Sequence, residues 1–280
     1  MDWAKAEIMR KPLFFILFLS CLFLGSSQPA AGLETIVIAG STSLLPFTQH
    51  AAEAYMKRFP EVRISVAGRG SSVGVRAIID GTADIAGISR GLRKKELALC
   101  AQRGVKPVTH LVALGCVVPV VDRSNPVSGL GVAQIREVYT GKISSWRELG
   151  GPDKPIAVMN RDSNSGTFGM FRLLVLDQAR VRSDALMLAS NGAMVQAVSG
   201  NPLALGYVGL GYLGPQLKAL AVDGIPVSMA TVRNGTYPLA RPLYLITKGQ
   251  PMGAVKRFLD FVRGPEGQMI AQQEGLVPMN

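Results

Sequence analysis

"VTHLVALGCVVPVVD", Val108 to Asp122, is a fifteen-residue stretch dominated by apolar and β-branched residues. It carries no helical periodicity and reads as one unusually long strand, interrupted near its middle by Gly115. A strand of that length is well beyond the usual five or six residues. It suits a chain that passes from one lobe into another. Upstream, short apolar runs alternate with helical stretches. "TIVIA" (35–39), "VRISVAG" (62–68) and "ADIAGIS" (83–89) read as strands. Between and after them come helices: "LLPFTQHAAEAYMKRF" (44–59) ended by Pro60, "VGVRAIIDG" (73–81) closed by Gly81, and "KKELALCAQRG" (94–104) with Gly104 past its end. Downstream, "VAQIREVYTG", "PIAVMN", "SGTFGMFRLLVL", "GAMVQAVSG" and "LALGYVGL" form a second series. "YPLARPLYLIT" (237–247) is a second long extended segment, and the helical "AVKRFLDFVRG" and "PEGQMIAQQEG" follow it. Strand–helix alternation predicts an α/β fold with parallel sheets. The two long strands divide it into lobe I, residues 33–114 plus 242–280, and lobe II, residues 115–241, with a cleft between them.

Composition places the chain among globular proteins: 280 residues, 48% hydrophobic, 18% charged, with only 6% aromatics. The formal charge is +11, but Lys and Arg are dispersed and the longest cluster is "RKK" at Arg93 to Lys95. No aromatics interleave with it, which argues against a nucleic-acid face. A basic solvated surface and an anionic ligand both remain open. At the N-terminus, Lys5, Arg10 and Lys11 precede an apolar run from Leu13 to Leu24 and then "GSSQPAAG". That is the order of a signal peptide, and a run of twelve residues falls short of the roughly 20 that span a bilayer. Residues 1–31 are read as a signal whose removal leaves a formal charge of about +10. The protein is then exported, to the periplasm, or held at a membrane surface if Cys21 carries lipid. Cys100 and Cys116 remain after cleavage, either as a disulfide or as two buried thiols. No cysteine or histidine spacing suggests a metal site, and no cofactor is expected.

The junctions after the strands repeat one composition: "GSTS" (Gly40–Ser43), "GRGSS" (Gly68–Ser72), "SRG" (Ser89–Gly91) and "RDSNSGT" (Arg161–Thr167). Each offers glycine and small hydroxyls just before a predicted helix. Free N–H groups at a helix start, added to the helix dipole, make an anion site. Glycine lets the backbone approach a ligand, and hydroxyls donate further hydrogen bonds. A Ser or Thr there is also the ordinary helix N-cap. Arg161 adds a planar fork suited to an oxyanion, and equally to a salt bridge.

Five segments carry a family resemblance: "GSTSLLPF", "GRGSSVGVRAIIDGTADIAGISR", "VYTGKISSWRELGGPDKPI", "NRDSNSGTFGMF" and "YPLARPLYLITKG". Together they resemble the phosphate-binding proteins of bacterial phosphate-specific ABC transporters. The resemblance runs from about Thr35 to the C-terminus, and "TGKISSWRELGG" and the Arg-x-x-x-Ser-Gly-Thr spacing are its most specific parts. It implies a two-lobed periplasmic-binding-protein fold of type II, each lobe a mostly parallel sheet flanked by helices, with two hinge strands. It implies inorganic phosphate, buried and dehydrated between the lobes, a monomer, and delivery to the permease and ATPase subunits of a membrane transporter. By position, Thr42, Ser43, Ser71, Ser89, Arg161, Ser165, Gly166 and Thr167 would bind the anion, with Ser41, Arg90 and Asp162 in possible support. One departure stands out: a branch of the family has a carboxylate where this chain has Ser89. That carboxylate accepts a proton from phosphate and excludes sulfate. A serine oxygen can accept the same proton, but sulfate, molybdate and tungstate stay open as alternatives.

Two motifs suggest other chemistry. "GISRG" (Gly87–Gly91) matches a nucleophile elbow, so a secreted serine hydrolase using Ser89 is a rival. The one histidine downstream, His110, follows too closely for the usual order, and His50 lies upstream. "GLGYLG" (Gly209–Gly214) matches a dinucleotide fingerprint, but Pro215 and the lack of a following helix make it a tight turn. No Walker A motif occurs, and Trp146 is read as a packing residue. No covalent chemistry is expected.

Overall fold

The structure, a computed structural model, describes residues 33–279. The signal segment and Cys21 lie outside them. Strand β1 (Glu34–Gly40), helix α1 (Leu45–Arg58), β2 (Val62–Gly68), α2 (Ser71–Asp80), β3 (Ile85–Ile88) and α3 (Lys94–Gln102) alternate as expected. Glycines in the left-handed region end two of these helical units: Gly81 caps α2 at φ 74°, and Gly104 at φ 65° follows α3. The long strand β4 occupies Val108–Asp122, unbroken at Gly115. After it come β5 (Gly129–Leu130), α4 (Val132–Thr140), β6 (Ala157–Arg161), α5 (Gly166–Leu174), β7 (Leu186–Leu188), α6 (Asn191–Ser199) and β8 (Ala204–Gly209). Then follow β9 (Leu217–Ala219), β10 (Ala221–Val222), α7 (Met229–Arg233), β11 (Ala240–Thr247), α8 (Gly253–Arg263) and α9 (Pro265–Gln273).

One sheet runs β2-β1-β3-β11-β4-β8-β6-β7, with β9 also on β4. Its two flanks are parallel: β1 with β2 and β3, and β6 with β8 and β7. Its centre is antiparallel: β11 with β3 and β4, and β4 with β8 and β9. The sheet is therefore mixed rather than mostly parallel. Parallel neighbours need a crossover helix, and the flanks have one. The long strands β4 and β11 run past each other and pair directly. β4 also changes partners along its length. Val108–Cys116 pair with β11, and Val117–Asp122 pair with β8 and β9.

Burial follows the same division. One apolar cluster draws its buried residues from Cys116–Leu239 together with Val277, and contains Tyr139, Trp146, Phe171 and Tyr207. Phe171 stacks on Tyr207 with ring centroids 4.1 Å apart. Trp146 is a packing residue whose indole N–H donates to the Leu203 carbonyl at 2.9 Å. Two further clusters cover the two faces of the β2-β1-β3 flank. Ile36, Ile38 and Ile85 pack with α1, α8 and α9, while Ala86 and Ile88 pack with α2 and α3. Each fully buried Ile or Phe side chain contributes about 1.5–3 kcal/mol. Cys100 and Cys116 are free, buried thiols in separate clusters. Burial pushes the Cys116 thiol up to about 12, with the Arg241 charge opposing.

Candidate functional site

Four helices, α1, α2, α5 and α6, begin around one buried polar cluster. At the end of β1 the chain turns through Ser41, Thr42 and Ser43, all buried. Gly40 opens that turn at φ 145°, pressed so close to the backbone of Gly87 that a Cβ would overlap it. Ser71 starts α2, and its Oγ accepts the Ser89 N–H at 3.2 Å. Ser89, directly after β3, receives a hydrogen bond at Oγ from Ser41 Oγ at 2.9 Å. Opposite them, Gly166 and Thr167 begin α5. A Cβ at Gly166 would overlap Ser71 Oγ and Ser89 Oγ, so only glycine lets this helix start approach those hydroxyls. Thr167 Oγ1 and Ser43 Oγ are hydrogen-bonded at 2.9 Å. Ser165 is the N-cap of α5, its Oγ accepting from the Phe168 N–H at 3.1 Å.

Arg161, at the end of β6, is 0% exposed. Its Nε and Nη2 donate to the carbonyls of Leu188 and Ala189, each at 3.0 Å, and Nη2 reaches Thr42 Oγ1 at 3.5 Å. Nη1 has no hydrogen-bond partner. Tyr207 positions the residue from behind. Its hydroxyl accepts the Arg161 N–H at 3.2 Å and donates to Asn160 Oδ1 at 2.6 Å. Burial pushes the Tyr207 hydroxyl well above the usual tyrosine range. Burial also lowers the Arg161 guanidinium from its ordinary value, against the opposing influence of Tyr207 and Asp162.

The structure thus brings Thr42, Ser43, Ser71, Ser89, Arg161, Gly166 and Thr167 together, with Ser41 linking two of the turns and Ser165 capping the opposing helix. It does not bring in Arg90 or Asp162. The Arg90 guanidinium forks onto both oxygens of Glu96, at 2.6 and 2.8 Å, and also donates to Ser72 and to the Gly91 carbonyl. Asp162 accepts the Asn164 N–H at 2.7 Å and shapes its own turn. Asp84 likewise serves the sheet, accepting from the Val37 N–H.

Two members of the cluster were not expected. Arg241, on β11, is 2% exposed. Its Nη2 donates to Ser43 Oγ at 3.0 Å and Thr167 Oγ1 at 3.2 Å, and its Nη1 to the Ser89 carbonyl at 3.3 Å. Asn191, the first residue of α6, is fully buried and donates to Thr42 Oγ1 and Ser43 Oγ at 3.0 and 3.2 Å, while its own oxygen accepts the Gly209 N–H. Both left traces in the sequence. Arg241 is the one charge in an apolar strand, and "SN" precedes a helix as the other turns do. Among the described residues, neither Arg161 nor Arg241 has a carboxylate in salt-bridge range. Burial lowers Arg241 to about 10, with the nearby Arg161 charge contributing. The cluster therefore holds two buried cations, four helix N-termini and a set of hydroxyls, an arrangement made for negative charge.

A family model described as a PBP superfamily domain matches residues 25–266. The chain belongs to the PBP superfamily. Within it, the chain groups with phosphate-binding proteins. It is 26% identical to the phosphate-binding protein PstS of Borreliella burgdorferi, over 96% of this chain and 99% of that one. It is 29% identical to PstS of Bacillus subtilis, over 91% and 85% respectively. Among solved structures, one from Clostridium perfringens, assigned as a phosphate ABC transporter substrate-binding protein and holding bound phosphate, superposes with a TM-score of 0.81. The identity is 32%, over 88% of this chain and all of that one. An ABC-type phosphate transport receptor from Vibrio cholerae gives a TM-score of 0.71 at 29% identity, over 86% and 99%.

Proposed function

We propose that this protein is an exported solute receptor that captures inorganic phosphate between two lobes and hands it, as a monomer, to the permease and ATPase subunits of an ABC transporter. The observation that carries the reading is Arg161: wholly buried, with no carboxylate in salt-bridge range, and reaching the hydroxyl cluster through Thr42. The phosphate-binding relatives support it. Lobe I would comprise 33–114 plus 242–280 and lobe II 115–241, with β4 and β11 as the hinge. The change of partners at Cys116/Val117 and the separate apolar clusters support that division. Thr42, Ser43, Ser71, Ser89 and Ser41 then face Arg161, Ser165, Gly166 and Thr167 across the cleft. In the closed state the hydroxyls bond one another. An entering anion takes over those bonds, and closure around it excludes water. Charged hydrogen bonds of this kind contribute about 1.5–3 kcal/mol each.

Hydrolase chemistry at Ser89 lacks a base. The two histidines are engaged elsewhere, His50 with Glu274 and His110 with Thr247. Another tetrahedral oxyanion remains a second reading because the cluster contains no carboxylate to repel a fully ionised anion such as sulfate. Calorimetry of the mature protein, stripped of copurified ligand and titrated with phosphate and then sulfate, tests the assignment. Saturable 1:1 phosphate binding, at least as tight as that of sulfate, is expected. Preference for sulfate would transfer the role to the other anion.

A further inference from the structure

We infer that Arg241 supplies a second positive charge that makes this site select a doubly charged tetrahedral anion over a singly charged one. The inference rests on the phosphate-binding reading above and goes beyond it by naming the ionic form taken. Arg241 lies on β11, one of the two long central strands, opposite Gly115 of β4. Its guanidinium touches Ser43 and Ser89 on one side of the cluster and Thr167 on the other. Its Nε has no hydrogen-bond partner, and neither has Nη1 of Arg161. Both side chains are nearly or wholly inaccessible to solvent. Two buried cations with no carboxylate in salt-bridge range are best balanced by an anion of charge −2. A monoanion would leave one guanidinium uncompensated, which is costly in such surroundings.

Among the described residues, neither histidine contacts the two arginines, so the ligand's own ionisation is the one to follow at the cluster. The groups that face the two arginines are Tyr207 from β8, Cys116 from β4, Tyr212, and Asp162 beside Arg161. Burial raises both tyrosines and the thiol, and Arg241 stays protonated up to about pH 10. Neither histidine is hydrogen-bonded to a cluster residue. The ligand's own second ionisation, which for phosphoryl groups falls near neutrality, therefore dominates the pH dependence.

Calorimetric titration of the stripped, full-length mature protein with inorganic phosphate, from about pH 5.5 to about pH 8, tests the inference, with thermal unfolding as the check on folding. Wild-type affinity is expected to rise about tenfold or more across that range as the dianion fraction grows. Arg241→Gln is expected to bind at least about tenfold more weakly at the upper end and to lose most of the slope, because one remaining cation matches a monoanion. Arg241→Lys, which keeps the charge, keeps the slope. A flat wild-type profile, an Arg241→Gln profile that is weaker but equally steep, or a folded Arg241→Lys variant without slope overturns the inference while leaving phosphate binding intact. A wild-type protein that binds no phosphate at any pH removes the underlying reading and this inference with it.

Discussion

Arg90 and Arg161 are both buried, yet their surroundings are opposite. Arg90 sits in a bidentate fork with Glu96, both side chains under 10% exposed, and Ser72 and the Gly91 carbonyl accept further bonds, with only Nε left unpartnered. Arg161 and its neighbour Arg241 meet hydroxyls, carbonyls and helix N-termini but no carboxylate. A buried charge is tolerable when it is paired. Arg90 is paired inside the chain, whereas Arg161 and Arg241 have no carboxylate partner among the described residues, and the proposed anion would supply one. The loop sequence "SRG" places Arg90 next to a candidate binding serine, and only its neighbourhood separates this paired arginine from the two proposed to meet the anion.

The largest expected effect breaks the structural half of this contrast. Glu96→Ala leaves Arg90 buried without its partner and should cost about 3–5 kcal/mol of stability in chemical denaturation. The folded fraction should keep near wild-type phosphate affinity, because Glu96 touches nothing in the cluster. A large affinity loss with unchanged stability would reverse the roles assigned to the two arginines. Next comes Gly166→Ala, which pushes α5 away from Ser71 and Ser89. At least about a tenfold loss of phosphate affinity by calorimetry is expected, equivalent to about 1.4 kcal/mol. Tyr207→Phe removes the hydroxyl that holds the Arg161 N–H and Asn160 and should weaken binding severalfold, about 1 kcal/mol, without abolishing it.

The smallest effect is a pH dependence of stability. Burial by itself would raise the Glu96 carboxyl. The hydrogen bond from Arg90, the Arg93 N–H and the two nearby charges outweigh it and hold Glu96 below the ordinary glutamate range. A carboxyl depressed in the folded state contributes stability above its unfolded value and loses it as pH falls through the folded one. Wild-type melting temperature should therefore drop below about pH 4.5, and Glu96→Gln should flatten that part of the curve. An identical acid limb in both proteins would show that the pair does not set acid stability.

Much of this was legible beforehand, for local reasons. The β-branched run at 108–122 defines β4 end for end, and Pro60, Gly81 and Gly104 mark helix ends by their own backbone limits. Strands β5, β7, β9 and β10, of two or three residues each, are too short to carry a period and were not anticipated. The antiparallel centre of the sheet was hidden too, because strand direction depends on how β4 and β11 meet, not on either run alone. At the site, the hydroxyl turns announced themselves by composition. Arg241 and Asn191 did not, since their relevance arises only when β11 and α6 are brought against Ser43. Arg90 misled for the mirror-image reason: its partner Glu96 sits six residues away in sequence, and nothing local shows that the two meet.

The central claim is that a buried, carboxylate-free arginine cluster is where this protein holds its oxyanion, and phosphate calorimetry on the stripped wild type and Arg161→Ala, side by side at one pH, tests it most directly. The account predicts 1:1 binding by the wild type and a loss of about ten- to a hundredfold or more in Arg161→Ala, with the variant still folded. An Arg161→Ala protein that binds phosphate as tightly as the wild type would contradict it.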